Sequence, residues 1–380
     1  MGLYGPIVVL RDTDRLMKIL KLLKNDIILC VAALLAVVSA FIVPPDKEYI
    51  SYINLPVLVL LLCLMLVVAG FKSAGAFDVL KSALSRRIKS EKTMIFALCM
   101  ICFFSSALIT NDVALITFVP FSMAMLKNQK SSSLIFCVVM ETIAANLGSL
   151  ITPIGNPQNL YLYTYYGISI GDFFKITLPL SGVCLGMICV CTLSRKSHTL
   201  NIEQKSERVV TDKKYLVIFS ALFLLCILSV LKIVSCYITL AVVFVCVLFI
   251  DKKLLKEADF VLLITFVFFF IFAGNIARIP AIYDFIKTAL LGREVLVSAL
   301  ISQVVSNVPA AAMLASFADD AQGLILGTNI GGLGTVIASM ASLISYRFIA
   351  REKEISKGKY MLSFTVYNVA MLIILLLIFK

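Results

Sequence analysis

The chain has 380 residues, 61% of them hydrophobic and only 15% charged, with a mean hydropathy of +1.02. Soluble domains are about half apolar and roughly a quarter charged, so a water-soluble enzyme or binding module is excluded and a polytopic all-α membrane protein is expected. The 34 Lys and Arg exceed the 22 Asp and Glu, but they gather in a few connecting loops. That pattern writes orientation into a membrane chain and does not build a nucleic-acid surface.

Residues 1–25 carry Arg11, Arg15, Lys18, Lys21 and Lys24 and show no cleavable signal pattern, which places this segment in the cytoplasm. A first span over 26–43 leads to an outer loop with Pro44, Pro45 and Asp46, and a second span over 54–70 returns inward. Ala74 to Ile88 reads as an interfacial helix: Phe77, Leu80, Leu84 and Ile88 share a face, while Lys81, Arg86, Arg87 and Lys89 are polar. The run 93–126 is interrupted at Thr110-Asn111-Asp112. As a single crossing it would put the basic loop 195–214 outside; as a re-entrant hairpin it keeps every basic loop inside. The hairpin is therefore expected. A span broken by polar residues at 133–166 and an intact span at 172–194 complete a first unit of 26–194.

After the loop 195–214 and a linking span at 215–232, a second unit fills 235–379. It holds spans at 235–250 and 260–274, a surface helix from about Ile279 to Leu291, and a hairpin at 295–317 interrupted at Ser306-Asn307-Val308-Pro309. A broken span at 322–346 and a last span at 361–379, ending outside, close the chain. The linking span inverts the second unit relative to the first. Sequence matches support the repeat: Asn146, Gly148, Leu150, Thr152 and Ile154 recur in register as Asn329, Gly331, Leu333, Thr335 and Ile337. The two surface helices also match, Phe77-Asp78-Val79-Leu80 against Tyr283-Asp284-Phe285-Ile286. Inverted repeats with paired helix breaks are the sequence pointer to a transporter's substrate site.

Hydrocarbon does not tolerate free backbone polar groups, so broken helices survive only where they line a cavity. The hairpin tips offer Thr110, Asn111, Asp112, Ser306 and Asn307. The breaks offer Asn146, Ser149, Thr152, Asn156, Asn329, Thr335 and Ser339, together with backbone at Gly148, Gly155, Gly331, Gly332 and Gly334. Half-helix N-termini suit a small anion. Freed carbonyls near Asn111, Gly148, Asn307 and Gly331 suit a cation such as Na+. Two carboxylates, Asp112 and Glu141, lie in apolar runs, at a cost of roughly 2.5–3.5 kcal/mol on insertion scales, which marks them for proton or cation coupling. The bland alternatives are helix caps for Asn111, Asp112 and Asn307, and a structural pair for Glu141. The eleven cysteines, Cys63 and Cys226 among them, read as small buried hydrophobes, and the single His198 as a loop residue. No nucleophile–base set of an intramembrane enzyme is present, and no resident cofactor is expected.

These tips and breaks resemble the ion transporter superfamily, which contains divalent anion/sodium symporters, citrate transporter-like permeases, arsenical pump membrane proteins and one class of sodium/proton antiporters. The symporters carry Ser-Asn-Thr at both tips. Asn111, Ser306 and Asn307 match it, while Asp112 and Val308 depart at the third position. Asn-Asp at the first tip is more similar to the arsenical-pump and antiporter branches, as is Gly155-Asn156-Pro157. The resemblance implies an inner-membrane homodimer in which hairpins and broken spans slide against a fixed scaffold. It further implies permeation of a small inorganic or organic anion, a carboxylate or related oxyanion, coupled to H+ or Na+. A cation/proton antiporter or an arsenite/antimonite efflux carrier is the alternative.

Overall fold

Inside a bilayer, backbone amides must find partners within their own segment, and this chain does so with helices. The computed structural model describes residues 27–78, 82, 84, 88, 90–127, 129–196, 198, 199, 212–352 and 355–379, and among them the only strand-like pairing is one bridge, Ser90 to Thr199. The expectations for 1–25, for most of the loop 195–214 and for Leu80, Lys81, Arg86, Arg87 and Lys89 fall outside the described residues.

The first half contains α1 (Ile27–Ile42), the short α2 (Glu48–Tyr52), α3 (Leu55–Ser73), α4 (Glu91–Ile109), α5 (Asn111–Met125), α6 (Ser131–Gly148), α7 (Pro157–Tyr166) and α8 (Ile170–Leu193). After α9 (Lys213–Val230) come α10 (Cys236–Ile250), α11 (Phe260–Ala277), α12 (Pro280–Leu290), α13 (Glu294–Val305), α14 (Asn307–Leu314), α15 (Ala321–Ile330), α16 (Met340–Arg351) and α17 (Lys357–Ile378). Among the described residues seven helices are long and apolar enough to cross a membrane: α3, α4, α6 with its 3-10 extension to Ile151, α8, α9, α11 and α17. The protein is an integral membrane protein. The amphipathic α12 meets α13 at 114°, as a helix lying along the surface must when the next one turns inward.

Helix ends follow local chemistry. The Asn54 side chain accepts from Val57 N at 3.3 Å ahead of α3, Ser169 from Asp172 N at 3.1 Å ahead of α8, and Asp259 from Leu262 N at 2.9 Å ahead of α11. Gly167 ends α7 in the left-handed region, at φ 64°. The hairpins α4–α5 and α13–α14 turn on single residues of nearly identical geometry, Thr110 at φ 76°, ψ 150° and Ser306 at φ 78°, ψ 152°. Positive φ at a side-chain-bearing residue costs on the order of 1–3 kcal/mol and is characteristic of functional sites.

Loop contacts sort the chain's ends into two groups. At one, Asp212 N donates to Ala74 O, Lys72 pairs with Glu257 at 3.9 Å, Glu91 N donates to His198 O, and the Arg195 guanidinium lies 4.3 Å from the Phe136 ring centre. At the other, Arg278 pairs with Asp46 at 2.6 Å and Glu48 at 3.5 Å, Lys287 with Asp319 at 3.0 Å, and Tyr166 Oη donates to Ala315 O and Ala318 O. Helices α3 and α11 each run from one group to the other. The apolar core divides as well. One part joins α4, α5, the body of α6, α16 and α17, with Phe103 and Phe118 at its centre. The other joins α3, α7, α9, α10, α11, α14 and α15 around Phe219, Phe266 and Phe269. The two helix breaks lie between them.

The cluster at Arg278 ties the α1–α3 connection to the end of α11, and Asn275 adds hydrogen bonds to Ser39 Oγ at 3.0 Å and Tyr49 Oη at 2.8 Å. The Arg278 hydrogen bond holds the Asp46 carboxyl below its ordinary value of 3.8. A depressed carboxyl stabilises the fold above its unfolded value and loses that contribution as pH falls through the folded one. Arg278→Ala is expected to lower the melting temperature of purified protein modestly at pH 7, by about 1–3 °C. The difference from the parent should shrink as pH falls below about 4, as followed by thermal unfolding across a pH series.

Candidate functional site

Four half-helices begin at one small cavity. Its lining consists of Asn111 and Asp112 opening α5, Pro157 and Gln158 opening α7, Asn307 and Val308 opening α14, and Ser339 and Met340 opening α16, closed by Leu262 of α11. The free space holds about one water molecule. Each helix start turns the positive end of a dipole toward the cavity. Several first-turn amides are capped by the protein itself, Asn111 N by Gly155 O, Asp112 N by Asn111 Oδ1 and Val308 N by Asn307 Oδ1, and α7 opens on Pro157, which has no N–H. No Lys or Arg lines it. Two acceptors within it are buried without a partner, Asp112 Oδ1 and Gln158 Oε1.

Behind the cavity the two breaks hold each other through matched hydrogen bonds. With Asn146 and Asn329 in register, Asn156 corresponds to Ser339 and Asn159 to Ser342. Ser339 Oγ donates to Asn146 Oδ1 at 2.9 Å and Asn146 Nδ2 donates to Ser342 Oγ at 3.4 Å. In the mirror arrangement Asn156 Nδ2 donates to Asn329 Oδ1 at 3.1 Å and Asn329 Nδ2 to Asn159 Oδ1 at 2.6 Å. Each break's asparagine is thus gripped by the helix start of the other. The tips repeat the symmetry: Asn111 Oδ1 accepts from Asp112 N at 3.0 Å and Asn307 Oδ1 from Val308 N at 2.9 Å. Thr152 Oγ1 donates to Ala107 O, three residues before the first tip, and Thr335 Oγ1 donates to Gln303 O, three before the second, at 3.0 Å.

The sequence-expected residues therefore separate into two layers. Asn111, Asp112, Asn307 and Ser339 line the cavity. Asn146, Asn156 and Asn329 form the brace behind it, and Asn111 Nδ2 joins it by donating to Asn146 Oδ1 at 3.1 Å. Ser149 Oγ donates to Asn146 O and accepts from Asn156 Nδ2. Ser306 Oγ donates to Ala338 O at 3.4 Å, and Gly155 O accepts from Asn111 N at 3.2 Å. Thr110 is the strained turn itself and makes no side-chain capping bond. Gly148 and Gly331 serve close approach: a Cβ would fall 1.9 Å from Phe103 O in one case and 2.8 Å from Ala299 Cα in the other. Gly332 abuts the Asn307 amide, and Gly334 needs its glycine for φ 102°. Glu141 lies apart from the cavity, wholly buried between the hairpin arms, with Oε1 accepting from Ser122 Oγ at 2.5 Å and Oε2 unpartnered.

Sequence reasoning missed Gln158, Asn159, Gln303 and Ser342. The first two follow Asn156-Pro157 within one helical turn, so the signal was the polar character of a helix start in a membrane segment. Gln303 and Ser342 sat inside apolar runs and gave no signal. Among the described residues no group of three or more His, Cys, Asp or Glu is placed to hold a metal ion. Among the residues lining the cavity, the buried acceptors without a partner are Asp112 Oδ1 and Gln158 Oε1.

The family profile described as citrate transporter (CitMHS) matches residues 16–325. The chain is 29% identical over 341 residues to the inner membrane protein YbiR of Escherichia coli, covering 86% of this chain and 89% of that one. It is 30% identical over 264 residues to an uncharacterised transporter of Methanocaldococcus jannaschii, covering 68% and 72% respectively. A silicon efflux transporter of Oryza sativa, LSI3, is 33% identical over 149 residues, 39% of this chain and 30% of that one.

The brace yields a stability prediction. Asn146→Ala removes the acceptor of Asn111 and Ser339 and the donor to Ser342 in a buried site, where each orphaned group costs about 1–3 kcal/mol. Purified Asn146→Ala is expected to melt several degrees below the parent, and Asn329→Ala by a comparable amount, since the two occupy matched positions. A parent-like melting temperature for both would mean the brace holds nothing together.

Proposed function

The chain belongs to the citrate transporter family, and we propose that this transporter moves a small anion, a carboxylate or related oxyanion, bound where the four half-helices begin. The observation that carries the reading is the convergence of four helix N-termini on a cavity that also contains one unpartnered carboxylate oxygen. The N-termini attract the anion without a cationic side chain, so it is held loosely enough to leave. Asp112 opposes it. Two negative charges about 4 Å apart repel by ~4 kcal/mol at an effective dielectric of 20, nearly three orders of magnitude in affinity. Anion and ionised Asp112 therefore exclude one another, and the anion enters together with a positive charge taken up there.

We assign that charge to a proton. A bound Na+ needs several oxygen ligands, and four carbonyls at the breaks are already held by the protein. Leu150 O accepts from Asn159 Nδ2 at 3.3 Å, Ile151 O from Thr177 Oγ1 at 3.2 Å, and Gly331 O and Leu333 O from Gln303 Nε2 at 2.9 Å each. A proton on Asp112 needs no cage. A cation/proton exchange in which Asp112 alternates between partners is the second reading, favoured by two unpartnered acceptors, Asp112 Oδ1 and Gln158 Oε1, on residues lining a cavity without Lys or Arg.

Sidedness and motion belong to the same proposal. The end of the molecule at Lys72, Lys127, Lys130, Arg195, Lys213, Lys214, Lys252 and Lys253 is assigned to the cytoplasm, and the end at Asp46, Asp319 and Asp320 to the outside. The two halves are then inverted repeats. The cavity meets α11 at Leu262, in the first turn of a helix about 27 Å long, so the site lies low against the scaffold and faces inward. Outward access follows from sliding the hairpins and broken spans along α11.

Asp112→Asn keeps the size of the side chain and cannot titrate. In proteoliposomes it is expected to bind substrate while losing at least about ten-fold of the acceleration that an imposed pH gradient gives the parent. An unchanged pH-gradient response would remove Asp112 from coupling and leave Glu141 as the buried carboxylate to test. In a background lacking native cysteines, a cysteine at 127 is expected to react only with reagent added from inside, and one at 320 only from outside. Labelling of both from one side would end the inverted-repeat assignment.

A further inference from the structure

The two breaks share the cross-braced asparagines and the threonine bonds to the hairpin arms, and they differ at the position three residues before each tip. Three residues before the first hairpin tip stands Ala107; three before the second stands Gln303. The Gln303 amide nitrogen lies at the centre of three carbonyl oxygens, Ala299 O at 3.0 Å and Gly331 O and Leu333 O at 2.9 Å. Its Oε1 accepts from Thr335 N at 2.9 Å, so one side chain satisfies both the acceptors and a donor of the unwound segment. The segment is shaped around it. Gly334 takes φ 102°, and a Cβ at that position would fall 2.1 Å from Gln303 Oε1. Three carbonyl oxygens within 3.0 Å of one point form an electronegative cradle that needs a positive partner. The amide, with its hydrogens directed into the cradle, supplies the missing positive partner.

We propose that Gln303 is a built-in substitute for a cation at the second break, a positioning residue whose amide occupies a cradle that would otherwise take a monovalent ion. The second half then carries no coupling ion, and the ion stoichiometry of the cycle is set by Asp112 alone. This rests on the transport reading above, but its core, an amide closing a cation-competent cradle, is separable from it. In the first half the corresponding task is divided between Asn159 and Thr177, each holding one carbonyl, so no comparable three-carbonyl cradle is shown there.

The test is thermal unfolding of the purified full-length protein in sodium chloride against choline chloride at equal ionic strength. The variants are Gln303→Ala, Gln303→Glu, Asp112→Asn and each Gln303 change combined with Asp112→Asn. The parent is expected to melt at the same temperature in both salts. Gln303→Ala is expected to melt lower in choline and to recover by at least about 3 °C in sodium, because a ligand that binds only the folded state raises its stability. Gln303→Glu keeps the side-chain size should the alanine variant fail to fold, and its carboxylate beside three carbonyls should need the cation still more. Both sodium responses are expected to persist with Asp112→Asn. The proposal is overturned if neither Gln303 variant gains a sodium response, or if the gained response disappears with Asp112→Asn. A sodium response in the parent that Asp112→Asn abolishes counts against proton coupling instead, and leaves Gln303 to be judged in the Asp112→Asn background.

Discussion

The architecture depends on one requirement: a helix opened inside hydrocarbon must give every exposed N–H and C=O a partner. Two spans are opened here, and the chain meets the requirement by making each the partner of the other. Asn146 is held by Ser339 and Ser342, Asn329 by Asn156 and Asn159, and the tip residue Asn111 is tied into the same brace. With the carbonyls and side chains engaged among themselves, what remains turned toward the cavity is the set of helix starts and two acceptors, Asp112 Oδ1 and Gln158 Oε1. The cavity's chemistry is thus what the brace leaves over.

The large features were legible because they obey rules written in composition and spacing. Long apolar runs give helices long enough to span, and polar triplets such as Thr110-Asn111-Asp112 interrupt runs that would otherwise continue. The helix order and both tips follow from these. Legibility ended where role depends on a partner distant in sequence. Asn146 and Asn307 carry the same side chain, yet one braces and the other lines the cavity. That division is set by which helix start lies opposite, and no local spacing encodes it. Gly148 and Gly331 read in the sequence as backbone opened toward an ion; the approach of Phe103 and Ala299 makes each of them a point of close packing as well. Gln303 was invisible because one amide in an apolar helix looks like a tolerated polar residue until the carbonyls around it are known.

Near-symmetry makes the departures from it informative. At the tips Asp112 faces Val308, on the hairpin arms Ala107 faces Gln303, and in the broken spans Glu141 corresponds to Leu324. The titratable side chains of these pairs fall in the first half. The two helix breaks share a hydrogen-bonding pattern, while the ionisable side chains, Asp112 and Glu141, stand in the first half and Val308 and Leu324 at the corresponding positions of the second. Function in such a molecule resides in the difference between halves as much as in their likeness.

The contacts that join the cavity-bearing helices to each other and to α11 are unlike in kind. Within the cavity-bearing group, glycine-tight packing at Gly148 and Gly331 and paired amides fix a register, because each donor fits only one acceptor. Against α11, the buried Tyr161 rests on Phe266 and Phe270, with ring centres 6.4 Å and 5.1 Å away. Ring faces have no such register: the two rings that Tyr161 rests on, Phe266 and Phe270, stand one helical turn apart on α11 and offer no directional donor or acceptor. The molecule therefore carries two joints of unlike kind side by side, one keyed by paired amides and close glycine packing and one made of ring faces.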